Sequence, residues 1–466
     1  MILVKKFFRK NVKKNIPSMF FSHKKEILYV IFCFFLYFFW SIVKGLNYAP
    51  DEQMRYQISE YIFETGRLPD GRLPEIRNDL WGFSYAFYPN FLGPLFSAGF
   101  MKIVSLFTID SHILVIAARF PSVICGTGSV ILALWIGKSS FGKRGAWIYT
   151  VFLSMIPQFV FLTSYVNNDI VCIFGSLIIL SSWVNAFYVG WNFKNGIFLA
   201  GGIIVTALSY YNGYGWILSS IILFIGFWMC EGYRTKKEHV QMLKTGVLIS
   251  VIVLIGIGYF FVRNAILYNG DFLGMDILNE YSEKYAVPEL KPSARNTPKN
   301  LGVSVFDMLF TTALSNIPWI FKVYITFIGA FGYADVFLPH WIYGLYAILF
   351  ILMLIGAIGN LVTWNGNIYS KKFRKRITLF YGAMILSLII PVILSIYYSY
   401  AVDFQPQGRY CYPMIAAFFW FGTKGILWLL EKIKISENVK NTFIKILLGG
   451  IIAVTIFVTV AIYLPS

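Results

Sequence analysis

Charged side chains are scarce in this sequence, and long apolar stretches separate them. Only 13% of the 466 residues are Asp, Glu, Lys or Arg, whereas a soluble protein of this length usually carries about 25%. Hydrophobic residues make up 58% of the chain, and their runs of roughly twenty residues are long enough to cross a hydrocarbon core of about 30 Å. Because backbone polar groups must be paired in lipid, the sequence predicts an all-α polytopic membrane protein.

Signatures of metal centres and disulfide frameworks are also missing. The five cysteines form no CxxC pair, and the four histidines are scattered without the spacing of metal ligands. No metal site or cofactor is therefore assigned, although a divalent cation held by carboxylates stays open. No small-residue cleavage site follows the first long apolar run, so this run is interpreted as a signal anchor rather than a cleaved signal peptide.

The basic residues that are present lie in short clusters between the apolar runs. With the amino terminus inside, the inner side has a net charge of +21 and the outer side of −4. This asymmetry follows the positive-inside rule, so the overall charge of +18 indicates membrane topology rather than nucleic-acid binding. It predicts a multi-pass protein of the bacterial inner membrane with a cytoplasmic amino terminus and an extracytoplasmic carboxyl terminus.

About eleven transmembrane helices fit this charge pattern. They are predicted near residues 27–46, 112–137, 145–163, 168–189, 195–209, 213–230, 245–262, 341–362, 377–399, 411–430 and 446–463. The chain thus divides into a basic cytoplasmic segment (1–26), a first membrane module (27–262), a long extracytoplasmic loop (263–340) and a second membrane module (341–466).

Two outer segments, 47–111 and 263–340, are long, and long ordered loops often carry function. Within the first, residues 53–65 have the pattern of an amphipathic helix at the membrane surface. The apolar stretches 88–107 and 317–333 would invert the later topology if they crossed the membrane. We therefore predict them to be interfacial or re-entrant helices.

Three carboxylates stand at predicted outer ends of helices. Asp51 and Glu52 directly follow the first helix, and Asp169 follows Asn168 in a short outer turn. The simpler interpretations are a solvated helix exit and an Asx cap on the next helix, made by Asn168 or Asp169. The functional interpretation is a general base at the membrane surface, where partial dehydration would raise the pKa of the carboxyl.

Basic, amide and aromatic side chains are predicted near the same face. They include Arg55, Arg263, Asn264, Gln407, Arg409 and Tyr410. A guanidinium binds phosphate in a bidentate fork, which suits a lipid headgroup, but an arginine at a helix end can also simply snorkel. Arg119, well inside the second helix, needs an acidic partner or a polar cavity. Aromatic residues such as Tyr85 could stack on sugars, although an interfacial belt gives the same pattern.

Five short motifs are spread over most of the chain. They are Pro50-Asp51-Glu52, Arg119-Phe120-Pro121-Ser122, Val166-Asn167-Asn168-Asp169, Phe261-Val262-Arg263-Asn264 with Tyr268-Asn269-Gly270-Asp271, and Gln407-Gly408-Arg409-Tyr410 with Pro413. In this order they resemble the GT-C superfamily of membrane glycosyltransferases, which use polyprenyl-phosphate sugars. Within it, the chain is similar to a branch of bacterial predicted membrane proteins of unknown function.

The resemblance implies a first outer loop with two juxtamembrane helices. It also implies that Asp51 is the base of an inverting transfer on the extracytoplasmic side, and that arginines contact the lipid phosphate. The sequence departs from the family pattern at one position, where Arg55 stands in place of a histidine. An arginine cannot shuttle a proton, so Arg55 either binds phosphate instead or marks a diverged site.

The resulting hypothesis is a glycosyltransferase that moves a sugar from undecaprenyl phosphate to a cell-envelope glycan, such as a teichoic acid or a wall polysaccharide. Its predicted partners are this lipid-linked donor, the glycan acceptor and membrane lipid. The predicted catalytic residues are Asp51, Glu52 and Asp169, and the predicted substrate-binding residues are Arg55, Asn168, Arg263, Asn264, Gln407, Arg409 and Tyr410. Two alternatives remain open: a flippase for a lipid-linked glycan, and a polysaccharide polymerase or ligase, which needs no acid straight after the first helix.

Overall fold

The computed structural model describes residues 24–230, 236–364 and 371–466, so most of the predicted cytoplasmic segment 1–26 lies outside it. Sixteen α-helices follow one another in these ranges. They are α1 (Lys24–Val43), α2 (Glu52–Thr65), α3 (Leu92–Val104), α4 (Ser111–Ser154), α5 (Pro157–Leu162), α6 (Asp169–Val189), α7 (Phe193–Ala207), α8 (Tyr214–Cys230), α9 (Lys236–Leu267), α10 (Met275–Tyr285), α11 (Val305–Phe310), α12 (Trp319–Ile328), α13 (His340–Val362), α14 (Lys371–Ala401), α15 (Ile415–Lys432) and α16 (Glu437–Val458).

Short elements complete the described chain. Five 3₁₀ turns lie at Pro74–Ile76, Tyr85–Phe87, Tyr211–Gly213, Pro288–Leu290 and Gly408–Met414, and a π-helical turn follows α16 at Thr459–Tyr463. Two strands, β1 (Ala330–Phe331) and β2 (Val336–Phe337), form an antiparallel hairpin that pairs Ala330 with Phe337.

Within the described ranges, nine helices are long and apolar enough to cross a membrane. This confirms the predicted all-α polytopic class. The 44-residue α4 is about twice as long as one crossing needs, and Gly142 interrupts it with φ 74° and ψ −172°. It therefore covers the crossings predicted at 112–137 and at the start of 145–163. The 15-residue α7 covers the one predicted at 195–209, so the structure is compatible with about eleven crossings.

Three predicted surface elements are indeed short helices. Among the described residues, α2, α3 and α12 have 14, 13 and 10 residues, whereas a crossing needs about twenty. Helix α2 buries Met54, Ile58 and Ile62, which recur every four residues along one face, and it buries Tyr56 on the opposite side. The expectation of two short helices in the first long loop is thus confirmed.

Burial separates central from peripheral helices. Helix α6 is mostly buried, and its Trp183 packs against Trp216 of α8 with ring centroids 5.1 Å apart. In the apolar stretch of α9 only 11% of the residues are buried, so this helix lies at the edge of the bundle and exposes apolar side chains. The core therefore sits around α6, and an edge helix such as α9 is suited to face lipid.

One end of the bundle, which we call the loop-rich face, collects the functional candidates. The ends of α1, α9 and α14 and the starts of α6, α8 and α15 meet there, and the two long loops cover them. Gly408 is needed at this face because a Cβ on it would lie 2.3 Å from the backbone nitrogen of Phe327 in α12. The Gly408 N–H also donates to Thr326 Oγ1 at 2.7 Å, which fixes the backbone just before Arg409.

Candidate active site at the loop-rich face

A buried ion pair between Arg119 and Glu52 forms the base of the site. Arg119 Nε donates to Glu52 Oε1 at 2.7 Å and Nη2 donates to Oε2 at 2.9 Å, with both side chains at most 2% exposed. The remaining guanidinium hydrogens are directed at the carbonyls of Ser41, Lys44 and Gly45, at 2.6–2.8 Å. All five N–H donors of Arg119 therefore have acceptors, as a buried cation requires.

Glu52 also accepts two backbone hydrogen bonds. The N–H of Asn47 donates to Oε2 at 3.1 Å, and the N–H of Val166 donates to Oε1 at 3.2 Å. The carboxylate thus ties the end of α1 and the start of α2 to α4 and to the turn before α6. The sequence predicted Glu52 as a catalytic residue, but in this position it is enclosed by protein donors. Its contacts are those of a positioning residue, and the acidic partner that Arg119 was predicted to need is confirmed.

Asp51, one residue earlier, points into the site instead. Its backbone is left-handed, with φ 63° and ψ 0°, a conformation that is uncommon for residues other than glycine and that often marks functional sites. Its Oδ2 accepts a hydrogen bond from Arg409 Nη2 at 2.7 Å. The Asp51 side chain keeps 25% of its surface exposed, so a substrate can approach the carboxylate that the strained turn presents.

The pKa of Asp51 corrects one sequence expectation. Burial alone would raise the pKa of this carboxyl, as predicted, but the nearby Arg409 and Arg55 outweigh burial and hold the pKa below its usual range. Asp51 is therefore ionised at neutral pH and able to accept a proton.

This lowered pKa predicts the pH dependence of the reaction. A base with a depressed pKa is lost only as the pH falls through that pKa, here below the usual range of an aspartate carboxyl. We expect kcat/KM measured on the purified protein to show no acid limb between pH 8 and pH 5. An acid limb near pH 6 that disappears in Asp51→Asn would contradict the assigned charge state.

Arg409 is held in place by several contacts. Its Nε donates to Gln407 Oε1 at 2.7 Å, and its guanidinium lies 5.1 Å from the ring centre of Tyr410. Tyr410 in turn hydrogen-bonds Gln405. Gln407, Arg409 and Tyr410 were all predicted as substrate-binding residues, and the structure brings them together around Asp51.

Arg55 is the guanidinium of this cluster without a bound carboxylate. It lies over the ring of Tyr85, with its central carbon 4.4 Å from the ring centre, and within electrostatic reach of Asp51 and Asp169. In the described part of the chain no carboxylate comes within ion-pair distance of it. Its charge is therefore available to an anionic ligand.

The turn before α6 is organised by Asn167, which sequence reasoning did not single out. Asn167 Oδ1 accepts from the Ile170 N–H at 3.0 Å, and Nδ2 donates to the carbonyls of Leu162 and Tyr165. Asn168 makes no capping hydrogen bond, so the alternative that Asn168 or Asp169 caps this helix is wrong. The sequence signal that could have distinguished Asn167 from Asn168 and Asp169 is its position three residues before Ile170, where an Asn side chain can accept the free backbone N–H of the first helical turn.

Asp169 is consequently free to face the site. Its side chain is only 4% exposed, and its Oδ1 has no hydrogen-bond partner in the described ranges. Arg409 and Arg55 are its nearest opposite charges. A buried carboxylate oxygen without a partner is unfavourable unless a ligand supplies a donor, which makes Asp169 a candidate ligand contact. Asn168 lies beside it against α3, where a Cβ on Gly93 would be 3.3 Å from Asn168 Oδ1.

Arg263 and Asn264 lie at a separate place on the loop-rich face. Arg263 Nη2 donates to the carbonyl of Pro69 at 2.8 Å, while its buried Nη1 has no partner among the described residues. Asn264 is fully buried and donates to the carbonyl of Phe87 at 2.7 Å, so its contacts are structural. The sequence predicted both residues near the same face as Asp51, and their contacts there are separate from those of Asp51.

Arg263 instead lines a cavity of about 490 Å³. The residues around this cavity are Tyr61, Arg67, Leu68, Asp70, Leu73, Tyr259, Val262, Arg263, Ile266 and Leu267. Its α9 wall is apolar and exposed, with Ile266 at 74% and Tyr259 at 63%. A cavity with an exposed apolar wall and two arginines has the character of a lipid-headgroup site at a membrane surface.

Six tyrosines surround the carboxylates, and only two of them were singled out by the sequence. We call Tyr85, Tyr88, Tyr210, Tyr211, Tyr398 and Tyr410 the tyrosine cluster; all six are half-buried. They come from the first long loop, the start of α8, the end of α14 and the turn before α15. The only sequence signal is the concentration of tyrosine in the outer turns, which an aromatic belt also produces.

No group of three His, Cys, Asp or Glu side chains in the described ranges has the arrangement of a metal site. The carboxylates of Asp51 and Asp169 each face guanidinium groups. Carboxylates paired with guanidinium groups in this way still accept hydrogen bonds from hydroxyl groups, such as those of a sugar.

The helices and this site define a multi-pass α-helical membrane protein with a carboxylate–guanidinium centre at one face. The chain belongs to the family described as "Predicted membrane protein (DUF2142)", which matches residues 70–418. This confirms the predicted resemblance to a branch of predicted membrane proteins. None of the curated proteins matches the chain.

Two groups of solved structures are similar to the chain. ArnT from Cupriavidus metallidurans bound to undecaprenyl phosphate is 13% identical, with a TM-score of 0.49 over 89% of this chain. The Archaeoglobus fulgidus oligosaccharyltransferase tethered with an acceptor peptide is 14% identical, with a TM-score of 0.48 over 95% of this chain. The chain spans 61% and 54% of the lengths of these two proteins. With TM-scores below 0.5, the likeness by itself assigns no activity to this chain.

Proposed function

We propose that this chain is a membrane glycosyltransferase that moves a sugar from a polyprenyl-phosphate donor, such as undecaprenyl phosphate, to a hydroxyl of a cell-envelope glycan on the extracytoplasmic face. The observation that carries the proposal is the juxtaposition of Asp51, an ionised and accessible carboxylate, with Arg55, a guanidinium that makes no ion pair within 4 Å among the described residues. Sugar transfer from a phosphate needs both, a base for the acceptor hydroxyl and a cation for the leaving phosphate.

The proposed reaction is a single displacement with inversion. The acceptor oxygen attacks the anomeric carbon from the side opposite the phosphate, and the bond between that carbon and the phosphate oxygen breaks. The electron pair leaves with polyprenyl phosphate, and the hydroxyl proton passes to Asp51. Because the pKa of Asp51 is low, we expect proton transfer late in the step, when the attacking oxygen has become acidic.

The arginines divide the remaining work. Arg409 donates hydrogen bonds to Asp51 and Gln407, so it orients the Asp51 carboxylate and keeps it ionised. Arg55 takes the donor phosphate, which accounts for an arginine at the position where the resembling proteins have histidine. Asp169, with its unpartnered oxygen, accepts a hydrogen bond from the substrate.

The cavity at Arg263 suits the lipid part of the donor. Its exposed α9 wall is continuous with the apolar edge of the bundle, and Arg67 and Arg263 line it together. A polyprenyl phosphate could enter sideways from the membrane with its chain along α9. This keeps Arg263 as a binding residue, in a place apart from the reacting atoms.

Replacement of Arg55 tests the proposed phosphate contact. We expect Arg55→Gln to raise the KM for the donor by roughly 10- to 100-fold, equivalent to the ~1.5–3 kcal/mol of a charge-assisted hydrogen bond. The KM of Arg55→Lys for the donor should fall between those of the unaltered protein and Arg55→Gln, because lysine keeps the positive charge but cannot bind phosphate in a bidentate manner. Initial rates at varied donor concentration give the values, with the exposed Lys299→Gln as a control for loss of one positive charge. An unchanged KM in Arg55→Gln would remove Arg55 from the binding site.

The central experiment is transfer in vitro. Purified protein is incubated with radiolabelled sugars on polyprenyl phosphate and with candidate glycan acceptors, and label in the acceptor is measured. Transfer that depends on both lipid phosphate and protein supports the proposal. Absence of transfer from every donor by folded protein, together with movement of lipid-linked glycan across vesicles, would favour the flippase alternative.

A further inference from the structure

The tyrosine cluster has hydrogen-bonding capacity that the protein itself does not use. Tyr410 bonds Gln405, and Tyr210 accepts from Asn212 Nδ2 at 3.2 Å. The hydroxyls of Tyr88, Tyr211 and Tyr398 have no hydrogen-bond partner in the part of the chain that the structure describes. Polar groups at a half-buried position usually have partners, so these three hydroxyls are available to a ligand.

These tyrosines form one contiguous group rather than a dispersed belt. The rings of Tyr85 and Tyr88 are 6.1 Å apart, those of Tyr88 and Tyr211 are 6.5 Å apart, and those of Tyr210 and Tyr211 are 5.1 Å apart. Tyr398 lies 5.7 Å from Tyr410 and interacts electrostatically with Tyr211 and Tyr85. An aromatic belt would spread its rings around the outside of the bundle, whereas these rings pack against one another next to Asp51 and Asp169.

The phenol groups act as neutral donors at physiological pH. Burial raises the pKa of Tyr88 to about 12, and it raises the pKa of Tyr85 and of Tyr210 as well. The tyrosine cluster thus offers aromatic faces, which suit the apolar faces of a sugar ring, and hydroxyl groups, which suit its polar edges.

The surrounding charges disfavour an acidic sugar. Asp51, Asp169 and Asp403 all lie within electrostatic reach of the cluster. Arg409 is committed to Asp51, Arg295 faces Asp403, and we assign Arg55 to the donor phosphate. A carboxylate on the sugar would therefore meet further carboxylates without a free cation.

From this arrangement we infer that the tyrosine cluster is the sugar subsite, that Tyr88 and Tyr211 hold the sugar ring, and that the donor sugar is a neutral, polyhydroxylated one rather than a uronic acid. The inference rests on the proposed function and adds the class of sugar to it.

The test compares binding of three ligands to purified protein in detergent: bare polyprenyl phosphate, polyprenyl phosphate carrying a neutral hexose, and polyprenyl phosphate carrying a uronic acid. We expect the hexose-bearing lipid to bind most tightly. Tyr88→Phe and Tyr211→Phe should each weaken its binding about 3- to 10-fold, as expected for the loss of one hydrogen bond. The affinity of both variants for bare polyprenyl phosphate should stay unchanged.

Tyr397→Phe is the matched control because it removes a hydroxyl next to Tyr398 from a side chain that is 61% exposed. This variant should bind all three ligands as the unaltered protein does. The inference is overturned if the uronic acid lipid binds as tightly as the hexose lipid, or if the sugar adds nothing to the affinity of bare polyprenyl phosphate. Failure to bind any polyprenyl phosphate would overturn the proposed function and the sugar subsite together.

Discussion

Asp51→Asn is expected to lower the turnover of sugar transfer by about 10²- to 10⁴-fold, the usual contribution of a general base. An amide cannot take the proton of the acceptor hydroxyl. Asparagine is the informative replacement because, like aspartate, it tolerates the left-handed backbone found at φ 63°. The turn should therefore survive while the base is lost.

The measurement for Asp51→Asn is single-turnover transfer at saturating donor, together with thermal melting to show that the protein is folded. Asp51→Asn leaves the buried Arg409 without its carboxylate partner, so some loss of stability is expected as well, and the melting curve separates it from the loss of turnover. Asp79→Asn, at an exposed position of the same loop, controls for the change of charge. Normal turnover in folded Asp51→Asn would remove the base from the proposed mechanism, and with it the main role of Arg409.

Glu52→Gln is expected to destabilise the protein severely, by about 3–5 kcal/mol, although it lies next to Asp51 in the sequence. The change removes the negative charge that compensates the fully buried guanidinium of Arg119 and weakens the bonds to the Asn47 and Val166 amides. We expect a markedly lower melting temperature and a poor yield of folded protein. This outcome would separate Glu52, as a positioning residue, from the catalytic role that the sequence predicted for it.

A second variant makes the test of Glu52 independent of folding yield. Glu52→Gln combined with Arg119→Met removes both charges, so it should recover part of the stability lost in the single variant. Recovery will be incomplete because the carbonyls of Ser41, Lys44 and Gly45 lose their donors. If Glu52→Gln instead melts normally and loses only turnover, Glu52 acts in catalysis after all.

Sequence reasoning placed the candidate residues near one face but did not predict which of them contact one another. The motifs around Asp51, Asp169 and Arg409 were correctly expected to share one face, because each follows or precedes a long apolar helix. Which carboxylate is engaged by which arginine could not be read, since Glu52 and Arg119 are 67 residues apart and the neighbouring Asp51 pairs elsewhere. The same limit applies to the pKa of Asp51, because the direction of its shift depends on two guanidinium groups that folding brings near the carboxyl.

Local geometry caused the smaller misses. Asn167, rather than Asn168 or Asp169, satisfies the first turn of α6, and a shift of one residue decides which side chain is left for the substrate. Arg263 follows the same apolar helix pattern as the other candidates, yet its guanidinium turns to the carbonyls of Leu68 and Pro69 in the first long loop. No spacing in the chain encodes that contact.

The sequence by itself determined that this protein is a bundle of membrane helices with its polar candidates at one face. That conclusion depends on contiguous residues, because the transfer of a twenty-residue apolar run into lipid and the placement of charge at its ends are local properties. Only the tertiary structure decided that Asp51 pairs with Arg409 across 358 residues, that Arg119 pairs with Glu52, and that Arg55 lies over Tyr85 without a direct ion pair among the described residues. These are pairings between distant segments, and electrostatic interactions act over a few ångströms of space rather than over any fixed distance along the chain.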